Sequence, residues 1–142
     1  MATSAERRPA PGLPVRVFLV EDSSLFRGRV VEQLSVSERI EIVGYADTEK
    51  TALDALGSVA WDVLILDLQL KQGNGMGVLK GLQARGRPVR AKIIVLTDHD
   101  FYLYRRKTAE CGADYFFNKS REFHLVAAVL DEMVRERETS LS

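Results

Sequence analysis

The chain has 142 residues, with 20 Lys+Arg set against 20 Asp+Glu, so its formal net charge is zero. That length is enough for one domain and too short for two, and 46% hydrophobic with 28% charged residues excludes disordered, collagen-like and simple coiled-coil chains. Zero net charge argues against affinity that comes mainly from phosphate-backbone contacts, and no apolar run is long enough to cross a bilayer, so the sequence predicts no nucleic-acid partner, no membrane partner and a cytoplasmic location.

Residues 1–14, MATSAERRPAPGLP, carry three Pro, two Arg and almost nothing to bury, and are expected to form a flexible N-terminal tail. Arg7 and Arg8 make a twin-Arg pair, but no apolar segment follows them as a secretory signal requires. From Val15 onward, short apolar runs alternate with stretches whose apolar residues recur at helical spacing. The runs predict strands at 15–20, 40–45, 62–66, 92–96 and 114–117. Between them, Phe26, Val30 and Leu34, then Ala52, Leu53 and Leu56, then Val78, Leu79 and Leu82 each mark one face of a short helix. A fourth helix over 101–110 has only a ragged apolar stripe, with Arg105, Arg106 and Lys107 reading as a solvated face. The fifth helix is striped by Phe123, Val126, Ala127, Leu130, Met133 and Val134, with Ser120 expected to cap its start. Residues 15–137 then form the domain and 138–142 a C-terminal tail. Strict βα alternation predicts an α/β fold, a five-stranded parallel sheet flanked by five helices.

In such sheets chemistry collects beyond the carboxyl ends of the strands. Strand one ends in Glu21 and Asp22, strand three in Asp67, strand four in Thr97, and strand five runs into Lys119. Three clustered carboxylates repel one another unless a cation joins them. Hard oxygen donors without Cys or His ligands point to Mg²⁺ rather than zinc. A carboxylate beside Mg²⁺, with Lys and Thr aimed at the same point, can attack a phosphoryl group and hold the resulting acyl phosphate. Asp67 stands alone on the central strand and is the expected nucleophile, while Glu21 and Asp22 are the expected metal ligands.

The ordered set resembles the receiver domain of two-component response regulators, in its single-domain, chemotaxis-receiver-like form. It comprises an acidic pair after strand one, an Asp 45 residues after Asp22, a Thr 30 residues later and a Lys 22 residues after that. Gly75 and the Gly112-Ala113 pair also fit the family pattern. The resemblance implies a flavodoxin-like doubly wound (βα)5 fold. It implies that Asp67 accepts a phosphoryl group from a sensor histidine kinase or a His-phosphotransfer protein, with Mg²⁺ held by Glu21, Asp22, Asp67 and the backbone carbonyl of Gln69. Thr97 and Phe116 become the switch residues, remodelling a face of helix four, strand five and helix five on which a downstream protein docks. A phosphorylation-dependent homodimer is a further expectation. The domain is then a phosphoacceptor rather than an enzyme, with only self-phosphorylation and slow self-dephosphorylation.

Two departures stand at the pocket: Ser120 replaces the Pro that usually follows the Lys, and Asp98 replaces the small residue that usually follows the Thr. With Gln69 and His99 at the positions that steer phosphoryl lifetime in the family, an acidic Asp98 is expected to slow both making and breaking of the acyl phosphate. Rival readings are a pseudo-receiver serving as an interaction module, and the truncated receiver of a DNA-binding regulator. A phosphohydrolase would want a second acid two residues after the nucleophile, where Gln69 stands. The polar ending ERETSLS favours a stand-alone receiver. The tract GNGMG lacks a third small residue at Val78 and reads as a loop, and His124 and Cys111 as structural residues.

Overall fold

The computed structural model describes residues 12–99 and 102–139. Five strands form one parallel sheet in the order β2-β1-β3-β4-β5: β1 Val15–Val20, β2 Ile40–Ala46, β3 Val63–Leu66, β4 Lys92–Thr97 and β5 Tyr115–Asn118. The helices are α1 Ser24–Leu34, α2 Glu49–Leu56, α3 Gly75–Arg85, α4 Tyr102–Glu110 and α5 Phe123–Thr139. This is the flavodoxin-like order, whose switch point lies between β1 and β3.

Side chains alternate across the sheet, and the alternation divides the core in two. Phe18 and Val20, Leu64 and Leu66, and Ile93 and Val95 pack on one face with Ala52 and Leu56 of α2 and Val78, Leu79 and Leu82 of α3. Val17 and Leu19, Val63 and Ile65, and Ile94 and Leu96 pack on the other with Val30 and Leu34 of α1 and Val126, Val129 and Leu130 of α5. β3 is buried throughout, as its unbroken apolar run requires of a central parallel strand. Ser23, Thr48 and Asn74 cap α1, α2 and α3 by accepting from the amides of Phe26, Thr51 and Gly77.

The expected N-terminal tail lies outside the described residues as far as residue 11, as do residue 101 at the start of the fourth helix and residues 140–142 of the C-terminal tail. Helix α5 itself runs two residues into that tail, ending at Thr139. Ser120 does not cap α5, which begins three residues later at Phe123; the Ser120 hydroxyl is engaged with Asp98 instead. Asp62 and Asp114 precede their strands because each carboxylate takes a backbone amide of the neighbouring strand, from Arg16 and Ile93, both at 2.8 Å. The α4 basic cluster is not uniformly solvated. Arg105 lies over the Phe116 ring at 4.7 Å and pairs with Glu122, while Arg106 pairs with Glu110 one turn away.

At the amino end of the sheet, Asp62 also receives the guanidinium groups of Arg16 and Arg137 at 3.1 and 3.3 Å. Burial alone would raise the Asp62 carboxyl, but the hydrogen bonds from Arg16 and the charges of Arg137 and Arg16 outweigh it and hold the group below its ordinary value. A carboxyl depressed in the folded state stabilises the protein above its unfolded pKa, and the gain is lost as pH falls through the folded one. Asp62→Asn is therefore expected to cost about 2 kcal/mol at about pH 7. Urea unfolding should show the gap between the two proteins closing as pH falls below about 4. A gap that stays constant with pH would contradict the assignment.

Candidate functional site

The side-chain alternation that builds the two cores also builds the site. Continued one step past β1, β3 and β5, it places Glu21, Asp67 and Lys119 on the α1/α5 side of the sheet edge, and it places Thr97, the last residue of β4, on the other. Glu21 and Asp67 are buried, at 1% and 5% exposure, and Asp22 is exposed beside them. One carboxylate oxygen from each of Glu21, Asp22 and Asp67 lies within 4.8 Å of the others. The Lys119 ammonium bonds Asp67 Oδ2 at 2.8 Å and is paired with Glu21. It also rests on the Phe26 ring at 4.4 Å, and that ring meets Phe123 edge-on at 5.2 Å.

The electrostatics of the pocket favour a further cation. Burial pushes the Glu21 carboxyl up to about 7, and the neighbouring Asp67 charge adds to it, against the lowering contacts of Lys119 and the Ser23 amide. The sequence-based expectation of mutual repulsion is therefore present but secondary to burial. Burial alone would lower the Lys119 ammonium, yet its hydrogen bonds to Asp67 and Glu21 hold it above its ordinary value, so it stays charged. One ammonium faces three carboxyl groups, and Glu21 is left holding a proton more readily than an exposed glutamate does.

The remaining predicted residues are placed as follows. The buried Thr97 hydroxyl accepts the His99 amide at 3.2 Å, and none of the hydrogen bonds among the described residues joins it to Asp67. The Gln69 amide donates to Asp67 Oδ1 at 3.2 Å, and its loop is pinned by a bridge to Asn74. Gln69 and His99 line one cleft of about 570 Å³, with Glu49 and Tyr104. Asp98 and Lys119 line another of about 800 Å³, where Asp98 Oδ1 accepts the Ser120 hydroxyl at 2.6 Å. Phe116 is half-buried on the α2/α3 face beneath Arg105.

Two contributors were not legible as site residues. Phe26 reads as a helix-stripe residue, yet its face backs the Lys119 ammonium. Arg27 donates to the Glu21 carbonyl at 2.7 Å while lying over Tyr45 at 4.3 Å, which fixes the backbone of the acidic pair. Their signal is position alone, four and five residues after Asp22 in the first turn of α1, where side chains turn back toward the strand end.

Residues 17–130 match the response regulator receiver domain family, and the chain belongs to it. It is 31% identical to the probable transcriptional regulatory protein NarL of Mycobacterium tuberculosis over 82% of this chain and 54% of that one. It is also 31% identical to protein-glutamate methylesterase/protein-glutamine glutaminase 2 of Koribacter versatilis, over 77% of this chain and 30% of that protein. The chain thus spans about half the length of the NarL protein it matches, and less of the methylesterase. Among solved structures, it superposes on the signal receiver domain of the Mycobacterium tuberculosis NarL with a TM-score of 0.77 and 25% identity, covering 87% of this chain and 98% of that one. The response regulator domain of Thermotoga maritima CheB shares the fold, with a TM-score of 0.73 at 21% identity, covering 89% and 97%. Receiver domains are the phosphoacceptor modules of two-component systems, and the expected fold and family both hold. No helix among the described residues is long and apolar enough to cross a membrane.

Proposed function

We propose that Asp67 is the phosphoacceptor of this receiver, taking its phosphoryl group from a phosphohistidine on a sensor kinase or phosphotransfer protein in the cytoplasm. The observation that carries this reading is Lys119, whose ammonium bonds Asp67 and pairs with Glu21 at the carboxyl edge of the sheet. A carboxylate oxygen of Asp67 bonds to phosphorus as the P–N bond breaks. The bonding pair stays on the imidazole nitrogen, and the imidazole leaves neutral because its other nitrogen already carries a proton. Lys119 stands where it can offset charge on the phosphoryl oxygens, and Thr97, at the end of the adjacent strand, accepts the His99 amide and so keeps its O–H free to donate to them.

The donor set suits Mg²⁺: three hard carboxylate oxygens within 4.8 Å, and a buried Glu21 raised to about 7 in a pocket with one ammonium. Asp22, Asp67 and the Gln69 carbonyl would hold the ion, with Glu21 beside them. Bound there, Mg²⁺ would neutralise charge on the phosphoryl oxygens.

The proposed unit is residues 15–137, acting as a phosphoacceptor that turns over its own phosphoryl group only slowly. Movement of Thr97 would free Phe116 to turn inward, and Arg105, stacked over that ring, would have to yield. The remodelled surface of α4, β5 and α5 would then dock a downstream protein. A pseudo-receiver is disfavoured because Glu21, Asp22, Asp67 and Lys119 are all in place. Hydride reduction of the phosphorylated protein tests the assignment, since an acyl phosphate at Asp67 is converted to homoserine. Peptide mapping should find homoserine at position 67; its appearance at another Asp would overturn the reading. The phosphoryl group is expected to outlast minutes, and decay within seconds would contradict the proposed role of Asp98.

A further inference from the structure

Thr97 and Asn118 are register partners on β4 and β5, so Asp98, one residue after Thr97, and Ser120, two residues after Asn118, come together and line the same cleft as Lys119. The Ser120 backbone is fixed: Asn118 Oδ1 accepts the amides of both Ser120 and Arg121 at 3.0 Å, and the Asn118 amide is in turn bound by Glu122. From that fixed backbone the Ser120 hydroxyl donates to Asp98 Oδ1 at 2.6 Å, which orients the carboxylate. The far wall of the same cleft carries one charge of each sign, Arg29 and Glu32, which offset one another. Among the residues lining this cleft, Asp98 is the carboxylate on the Lys119 side, outside the Glu21 and Asp67 groups that Lys119 itself contacts.

We propose that Asp98, held at the pocket mouth by Ser120, is a charge filter that selects against small, highly anionic phosphodonors. The inference rests on Asp67 as phosphoacceptor and deepens that reading by naming which donors the site disfavours. A fixed carboxylate repels a dianion about twice as strongly as a monoanion at the same distance, and in a water-exposed cleft each unit of charge changes a rate by several-fold. A protein donor, whose phosphoryl group is delivered by its own docking contacts, is penalised less.

Acetyl phosphate and phosphoramidate separate charge from size, because near neutral pH the first is a dianion and the second, with a protonated nitrogen, a monoanion. Both transfer one phosphoryl group to a carboxylate oxygen of Asp67. In one case the P–O bond breaks and acetate leaves with the electron pair; in the other the P–N bond breaks and ammonia leaves. The test measures both rates, with Mg²⁺ present, for wild type, Asp98→Asn, Ser120→Ala and the double variant.

Asp98→Asn is expected to raise the ratio of acetyl phosphate to phosphoramidate rates about fivefold. Ser120→Ala, which lets the carboxylate turn to solvent, should reproduce part of that rise and add nothing in the Asp98→Asn background. The gain should fade at about 1 M salt, where screening acts over about 3 Å. A ratio that moves by less than about twofold in Asp98→Asn, or a Ser120→Ala effect that persists in the double variant, overturns the filter while leaving the phosphoacceptor intact. A wild type that accepts a phosphoryl group from neither donor overturns both.

Discussion

Lys119→Met is expected to slow phosphoryl transfer by about a hundredfold or more, because it removes the cation that bonds Asp67 and pairs with Glu21. Methionine keeps the length and the contact with the Phe26 face, so the change is mainly one of charge. It also leaves two buried carboxyl groups facing each other, with Glu21 already raised to about 7 while the ammonium is present. Breaking a buried ion pair costs about 3–5 kcal/mol; with Asp22 exposed and the lysine side chain 14% accessible, about 2 kcal/mol is expected here. Mg²⁺ should restore part of that loss, which thermal unfolding with and without the ion would show. A Lys119→Met protein as stable and as readily phosphorylated as wild type would contradict the role given to the ammonium.

The second large effect is expected at Gly75, the first residue of α3. A Cβ at this position would collide with the Asp67 carbonyl oxygen and lie 2.8 Å from the Leu68 Cα, both backbone atoms that no rotamer change can move aside. The Gly75 amide also bonds the Leu68 carbonyl at 2.9 Å, so the helix start is pinned to the end of β3. Gly75→Ala must therefore push α3 away from the residue that carries the chemistry. A loss of about 2–4 kcal/mol is expected, together with slower phosphorylation. Gly28→Ala on α1 is the control, since nothing lies within 4 Å of its added Cβ. Equal stability of the two variants in urea would show that the close approach is not tight.

Most of the fold was legible because β3 and β4 are apolar runs too continuous for a half-exposed strand, and the stripes of α1, α2 and α3 match the faces they bury. The site was legible for a related reason: in a parallel sheet the residue after each strand faces a common edge, so Glu21, Asp67, Thr97 and Lys119 could be gathered from strand ends alone. The parity that separates Thr97 from the other three came only with the fold, because β3 and β4 are apolar on both faces and their sequence does not distinguish one from the other. What escaped were contacts between loops far apart in the chain. Ser120 had the composition of a helix cap, and only the fold brings it to Asp98, 22 residues away. Arg105 looked like part of a solvated run because nothing local placed it over Phe116. The strand starts expected at Asp62 and Asp114 moved by a residue because there the carboxylate, rather than a backbone carbonyl, takes an amide of the neighbouring strand, while each Asp amide still bonds that strand.

The central claim is that Asp67 carries the phosphoryl group, and intact mass after incubation with phosphoramidate and Mg²⁺ tests it most directly. Wild type should gain a single phosphoryl group, and Asp67→Asn should gain none, while both retain the cooperative unfolding of a packed domain. A phosphoryl group on Asp67→Asn, or an unmodified wild type that nonetheless binds Mg²⁺, would contradict it.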